Sequence, residues 1–196
     1  MIRVEDVFRT FKEKRGDSIV IPTGTSGRHW GDYTDNDKRD MNLGGAMGQT
    51  TSAALGLALS LPNEKVVLFD SEGALLMNLG IVATIAGKKP QNFFHFLLDN
   101  ECYATTGGQP VPNAEEINYA GMAKEAGYSA AYSFEDLEDF ATNIDQIMNE
   151  TGPVFIAIKV VPLVENEPIG RRERRPQKSR AQSITDLQSE LGIKVA

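Results

Sequence analysis

Between Asp70 and Gln109 the chain reads DSEGALLMNLG, then a short helical stretch, then FFHFLLDNECYATTGGQ. An acidic turn follows one apolar run and an Asp-Asn pair follows the next, which puts Glu72 and Asn100 twenty-eight positions apart. Their oxygens suit a hard cation. Glu72 offers a carboxylate, Asn100 an amide oxygen, and Cys102 a backbone carbonyl two residues on. Mg²⁺ takes near-octahedral oxygen coordination and shares it among a few protein groups, phosphate oxygens and water. Ser71 and Gly73 keep the turn small enough for a diphosphate to approach. A helix beginning near Ala74 would direct its N–H groups at that anion. The chemistry expected here is the holding of a metal ion and a diphosphate at the carboxyl ends of two strands.

Those ends need a parallel sheet beneath them. KVVLFD (65–70) and NFFHFLLD (92–99) are apolar runs without alternation, as strands covered on both faces require. A helix over 74–87 lies between them, and strand–helix–strand order implies a right-handed parallel crossover. PVFIAIKVVP (153–162) supplies a further buried strand, and Ser18 to Pro22 a short one. Residues 4–14 have amphipathic helical spacing, and Tyr119 to Gly127 and Phe134 to Asn149 continue the helical pattern. Thr23 to Asp40 is polar and Gly-rich, carries four Asp between Asp32 and Asp40, and reads as a loop. GGAMGQTTSAALGLALSLP opens on glycines and continues as a small-residue helix ending before Pro62. The absence of charge from Leu43 through Pro62 predicts burial of that helix on most sides. The expected fold is α/β: a three-layer, doubly wound, mostly parallel sheet with helices on both faces. Residues 1–170 are expected to form one domain, and 171–196 a basic tail with a short terminal helix.

Composition narrows the function classes. A length of 196 residues buries an ordinary core. No run of about 18 apolar residues predicts a membrane span, and MIRVEDVFRTFKEK lacks the apolar core of a secretory signal, so the cytoplasm is the expected location. A net charge of −7 with no recognition motif argues against nucleic-acid binding. The single cysteine, Cys102, excludes an internal disulfide framework, a cysteine-ligated iron–sulfur cluster and a cysteine zinc site. It has no neighbouring base and is expected to be structural, with its carbonyl the useful atom. His95, between Phe94 and Phe96 in mid-strand, is expected to be a satisfied core residue, and His29 a surface-loop residue. Arg171, Arg172, Arg174, Arg175, Lys178 and Arg180 read as a solvated tail, or as a segment that docks on an acidic partner or closes over an anionic substrate.

The motifs carry a resemblance. Ser71-Glu72-Gly73, twenty-five residues (74–98), then Asp99-Asn100 resembles the fingerprint of thiamine-diphosphate-dependent enzymes, which is Gly-Asp-Gly, about 25 residues, then Asn-Asn. The chain resembles their diphosphate-binding (PP) domain over roughly residues 15–165. LGGAMGQTTSAALGLALSLP, EGALLMNLGIVATI and LDNECYATTGGQP are similar to stretches in the β subunits of two-subunit sulfopyruvate and phosphonopyruvate decarboxylases. The resemblance implies thiamine diphosphate as cofactor. By position it makes Glu72, Asn100 and the Cys102 carbonyl metal ligands, and Ser71, Gly73 and Ala74 diphosphate contacts. Gly45 would accept a hydrogen bond from the aminopyrimidine, and Met47 would force the cofactor's bent conformation. Ala46 and Tyr103 complete the implied cofactor set. Glu72 in place of Asp adds one methylene, roughly 1.5 Å of reach, where Mg²⁺–oxygen distances are held near ~2.0–2.1 Å. A retracted turn, a more adaptable ion such as Ca²⁺ or Mn²⁺, or weaker metal binding would each follow.

The same resemblance places the activating Glu on a separate pyrimidine-binding domain, which a chain of this length does not contain. It therefore implies an α-type partner subunit supplying that base, in an α2β2 or higher hetero-oligomer, with helix 47–61 in the contact. The implied activity is decarboxylation of a small anionic 2-oxo acid, sulfopyruvate or phosphonopyruvate being examples. Carboligation from the same carbanion is the chemical alternative. A non-catalytic structural or regulatory subunit with a degenerate motif is the alternative from another class. A 2-oxoacid oxidoreductase β subunit is disfavoured by the missing cluster cysteines.

Overall fold

The computed structural model describes residues 1–44, 46–168, 171 and 178–193. Gly45, Arg172, Arg174 and Arg175 lie outside the described residues, so the expectations placed on them go no further here. In chain order the elements are α1 (Val4–Lys12), β1 (Ile19–Pro22), α2 (Gly24–His29), α3 (Thr50–Ser60), β2 (Val66–Ser71), α4 (Glu72–Met77), α5 (Ile81–Lys88) and β3 (Phe93–Asp99). They continue with β4 (Cys102–Tyr103), β5 (Gln109–Pro110), α6 (Tyr119–Ala126), β6 (Ala130–Phe134), α7 (Leu137–Met148), β7 (Val154–Lys159) and α8 (Arg180–Glu190).

Five strands pair in the order β1-β2-β3-β7-β6, and each pairing is parallel. Alternate residues of the buried strands feed two separate cores. Ile19, Ile21, Val66, Leu68, Phe93 and Leu97 pack with α3, α5 and α6 on one face. Val20, Val67, Phe69, Phe94 and Phe96 pack with α1 and α7 on the other. Period-2 geometry produces this division, and both sets being apolar erases the alternation in the sequence. In α1 the buried residues Val4, Val7, Phe8 and Phe11 recur at helical spacing. Phe8 and Phe11 set their rings edge-on against Phe69, at centroid distances of 5.2 and 5.0 Å. Phe69 immediately precedes Asp70, so these ring contacts anchor β2 two residues before its end at Ser71.

Four expectations are corrected. The stretch Thr23 to Asp40 holds α2 and two single-turn 3₁₀ segments, Trp30–Asp32 and Asp37–Arg39, rather than a loop throughout. Ser26 starts α2 by accepting from the Thr23 N–H at 2.8 Å, a reciprocal N-terminal cap that offsets two glycines. Two of its aspartates, Asp35 and Asp40, hold the buried Arg15 at 3.4 and 2.7 Å. The helix drawn over 74–87 is two helices, with α4 already begun at Glu72. Asn78 leaves the helix between them because its side chain donates to the Gly48 carbonyl at 3.0 Å and the Ser52 hydroxyl at 3.3 Å. Phe134 ends a strand, β6, instead of starting a helix, since Asp136 caps α7 by accepting from the Glu138 and Asp139 N–H groups. Lastly, α3 buries one face only, through Thr51, Ala54 and Ala58, and leaves Ser52, Ala53, Gly56 and Leu59 exposed.

Helix α8 returns to the 36–44 region, burying Ser183 and Leu187. Ser183 Oγ accepts from the Asn42 N–H at 3.2 Å, and the Asn42 amide donates to the Lys178 carbonyl at 2.7 Å. Lys178 pairs with Asp37 and Asp186 at 3.3 and 2.8 Å. Among the described residues no helix is long and apolar enough to cross a membrane.

Candidate functional site

A cleft of about 370 Å³ opens at the carboxyl ends of β1 and β2, where open parallel sheets hold their ligands. Ala46, Met47, Ser71, Ala74 and Tyr103 line it, together with Gly24 and Arg28. Gly24 has φ +53°, and a Cβ there would sit 3.6 Å from Ser71 Oγ, so the β1 and β2 turns approach closely. Gly73 lies beneath Tyr103. A Cβ at Gly73 would fall 2.6 Å from the Tyr103 ring and 3.1 Å from the Met47 methyl. Only glycine admits that packing. Met47 is half exposed and so does not serve as core filler.

Glu72, Asn100 and Cys102 sit behind this wall rather than on it. Glu72 is the first helical residue of α4 and is 1% exposed, yet neither carboxylate oxygen has a hydrogen-bond partner. Burial pushes its carboxyl up to about 7, and the negative charge of Asp99 adds to that. The backbone N–H groups of Glu72 itself, Asn100 and Cys102 lie close enough to oppose the rise without reaching the geometry of a full hydrogen bond, which places the three predicted metal residues side by side. Asn100 is buried, and its Oδ1 accepts from the Cys102 N–H at 3.1 Å. A carbonyl-type oxygen has a second lone pair. Glu101 takes φ +64° to make the turn. The Cys102 thiol is raised by burial and by Glu72 and Glu101, the opposite of an activated nucleophile. Among the described residues no three His, Cys, Asp or Glu side chains converge on one metal position.

The expected metal set thus mixes one carboxylate, one amide and one carbonyl. A buried carboxylate without partners is costly, and a divalent cation is the chemistry that would satisfy it. In that sense the residues fit the group the resemblance implies.

Several residues at the site were not singled out from sequence. Asp70, buried at the end of β2, accepts from Thr51 Oγ1 at 2.6 Å and from the Ser71 N–H at 2.9 Å. His95 Nε2 lies 3.3 Å from Asp70 Oδ2, and its Nδ1 lies 3.3 Å from the Tyr128 hydroxyl. His95 is therefore a satisfied core residue, as expected. His29 is half-buried in α2, not in a surface loop. Arg28 on the cleft wall pairs with Glu165, and Arg180 lies against the cleft loop, with Nη2 3.1 Å from where a Cβ on Gly44 would be. An acidic residue closing an apolar run was the available signal for Asp70. Arg28 had none, because only the fold brings it near the cleft, whereas Arg180 belongs to the basic run read as a solvated tail or as a segment that docks on an acidic partner or closes over an anionic substrate.

A doubly wound parallel sheet whose strand ends combine a small-residue turn, a buried carboxylate and an open cleft defines a diphosphate-binding α/β domain. Residues 23–158 match the family described as "Thiamine pyrophosphate enzyme, C-terminal TPP binding domain", and the chain belongs to that family. It is similar to the sulfopyruvate decarboxylase subunit beta of Methanothermobacter thermautotrophicus, with 34% identity over 85% of this chain and 86% of that one. It is also similar to the phosphonopyruvate decarboxylase of Streptomyces hygroscopicus, with 32% identity over 74% of this chain and 35% of that one. A solved structure of a putative thiamin diphosphate-dependent enzyme from Mycobacterium smegmatis superposes with a TM-score of 0.69 at 19% identity, over 82% of this chain and 32% of that one. That likeness bears on the fold alone.

Proposed function

We propose that this chain is the diphosphate- and metal-binding subunit of a thiamine-diphosphate-dependent 2-oxoacid decarboxylase, a lyase. The observation carrying the reading is Glu72: a carboxylate buried without hydrogen-bond partners beside Asn100 and Cys102, directly behind the cleft. Glu72, the Asn100 amide oxygen and the Cys102 carbonyl hold the metal, Mg²⁺ or a more adaptable Ca²⁺ or Mn²⁺. Ser71, Gly73 and Ala74 meet the diphosphate at the β2 turn, while Ala46, Met47 and Tyr103 shape the rest of the seat.

When bound, thiamine diphosphate supplies an electron sink for the pair left behind as CO₂ departs. The chain's own part is to bind and orient. Gly73 lets Tyr103 and Met47 close on the turn, and Asp70 holds the Ser71 N–H and Thr51 so that the turn keeps its shape. Arg28, seated on the cleft wall beside Glu165, is the cation that meets an anionic 2-oxo acid. The relatives' names favour a short substrate with a second anionic group, such as sulfopyruvate or phosphonopyruvate.

The activating carboxylate belongs to a separate pyrimidine-binding subunit, in keeping with relatives named as subunit beta. The uncharged outer face of α3 forms part of that contact in an α2β2 or larger assembly. Residues 1–170 are the cofactor-binding domain, and 171–196 an appendage folded back on it through α8. The cytoplasm is the proposed location. The test is calorimetric titration of the co-expressed complex with thiamine diphosphate and Mg²⁺, Mn²⁺ or Ca²⁺, followed by a screen of 2-oxo acids for CO₂ release. Tight metal-dependent binding and CO₂ release from one acid are expected. No binding with any of the three ions sinks the enzyme reading.

A further inference from the structure

The irregular chain after β7 is tied to residues that line the cleft. The Val161 N–H donates to the Ile2 carbonyl at 2.9 Å, and the Glu165 N–H donates to the Ala104 carbonyl at 2.9 Å. Ala104 belongs to the cleft lining. Between these ties Val164 packs on the turn before β5: a Cβ on Gly108, which has φ +81°, would fall 3.1 Å from Val164 Cγ1. The backbone at Glu165 is thus held at the edge of the cleft. Its carboxylate goes to a second lining residue, with Oε1 paired to Nη1 of Arg28 on α2. The Arg28 and Glu165 side chains are 36% and 29% exposed, so a dissolved anion can reach the pair.

A 2-oxo acid brings a carboxylate, the same group that Glu165 sets against Arg28. The two compete for one guanidinium, and Glu165 competes from a tethered position. We infer that Glu165 is an internal competitor at the substrate site: its carboxylate occupies Arg28 until the substrate's anionic group takes its place. The exchange requires rotation of the Glu165 side chain alone, because the backbone bond to Ala104 does not involve it. Apparent affinity for the acid is then reduced by the fraction of molecules in which Arg28 is held. The inference rests on the proposed role of Arg28 as the cation that meets the substrate, and it adds the group that governs access to that cation.

The test uses the full chain with its pyrimidine-binding partner, thiamine diphosphate and Mg²⁺, and reads KM from CO₂ release with sulfopyruvate, phosphonopyruvate and pyruvate. Glu165→Gln keeps the side-chain length and the backbone tie while removing the charge. It should lower KM for the acids that turn over by roughly two- to fivefold, the range open to an ion pair of this exposure. Glu165→Asp, charged but shorter by one methylene, should fall between wild type and Glu165→Gln. Arg28→Ala should raise KM, and in that background Glu165→Gln should no longer lower it. A KM that is unchanged or raised in Glu165→Gln overturns the inference, since a residue that merely positions Arg28 would raise it. A fall that persists without Arg28 also overturns it, because it marks a general effect of charge. If Arg28→Ala leaves KM unchanged, the substrate role of Arg28 fails and the inference with it. A wild type that releases CO₂ from none of the three acids removes the decarboxylase reading itself.

Discussion

Replacing Glu72 by Gln should make the metal-free protein more stable, and increasingly so as pH rises. The Glu72 carboxyl moves from 4.5 to about 7 in the folded state, chiefly through burial. The folded protein therefore keeps a proton that the unfolded chain releases between those values. Stability linked to this group is fully present below the unfolded value and is lost as pH rises through the folded one. A shift from 4.5 to about 7, at about 1.36 kcal/mol per pKa unit, makes the loss about 3 kcal/mol. Gln has nearly the same shape and cannot ionise, so Glu72→Gln escapes the loss. Urea denaturation of both proteins in chelator, at steps from pH 4.5 to 8, isolates the difference because every other group titrates alike in the two. The stability gap should widen with pH and level off above about 7. Adding Mg²⁺ and thiamine diphosphate at pH 8 should then stabilise wild type and leave Glu72→Gln unchanged. A gap that stays flat with pH would refute the claim that Glu72 is buried without compensation.

Gly73→Ala would set a Cβ 2.6 Å from the Tyr103 ring; the displaced ring should cost about 1–3 kcal/mol in thermal denaturation and weaken cofactor binding in calorimetry. Asp70→Ala removes the acceptor of Thr51 Oγ1 and the neighbour of His95 Nε2 inside the core, and should destabilise by about 3 kcal/mol in urea. Asn78→Ala cuts the ties to Gly48 and Ser52. Hydrogen exchange should then quicken at residues 46–49 while β2 and β3 stay protected. If those loop amides exchange at the wild-type rate, Asn78 is not what holds the loop.

The buried strands could be read from sequence because each is an apolar run bounded by polar turns, and β2 and β3 fall close to where the residues placed them. Strand β6 escaped because AAYSF is mostly half-buried and looks neither continuous nor alternating. The break after Met77 escaped for another reason: local propensity favours one helix, and a tertiary bond from Asn78 overrides it. At the site, spacing sufficed to pair Glu72 with Asn100, since both terminate adjacent parallel strands. Spacing could not disclose Arg28, which reaches the cleft from α2 and is recognisable only once the fold is known. The lack of charge in α3 predicted burial on most sides, yet one face is exposed in this chain, because composition does not say what covers each face of a helix.

The packing of α8 on Asn42 carries a consequence for how the protein matures. The loop beginning at Asn42 leads into the cofactor seat, yet its partners, Ser183 and Lys178, follow it by 141 and 136 residues. The sheet and both cores can assemble while synthesis continues, but the seat acquires its outer support only after residue 183 has cleared the ribosome. Cofactor loading should therefore follow the synthesis of residue 183 rather than precede it.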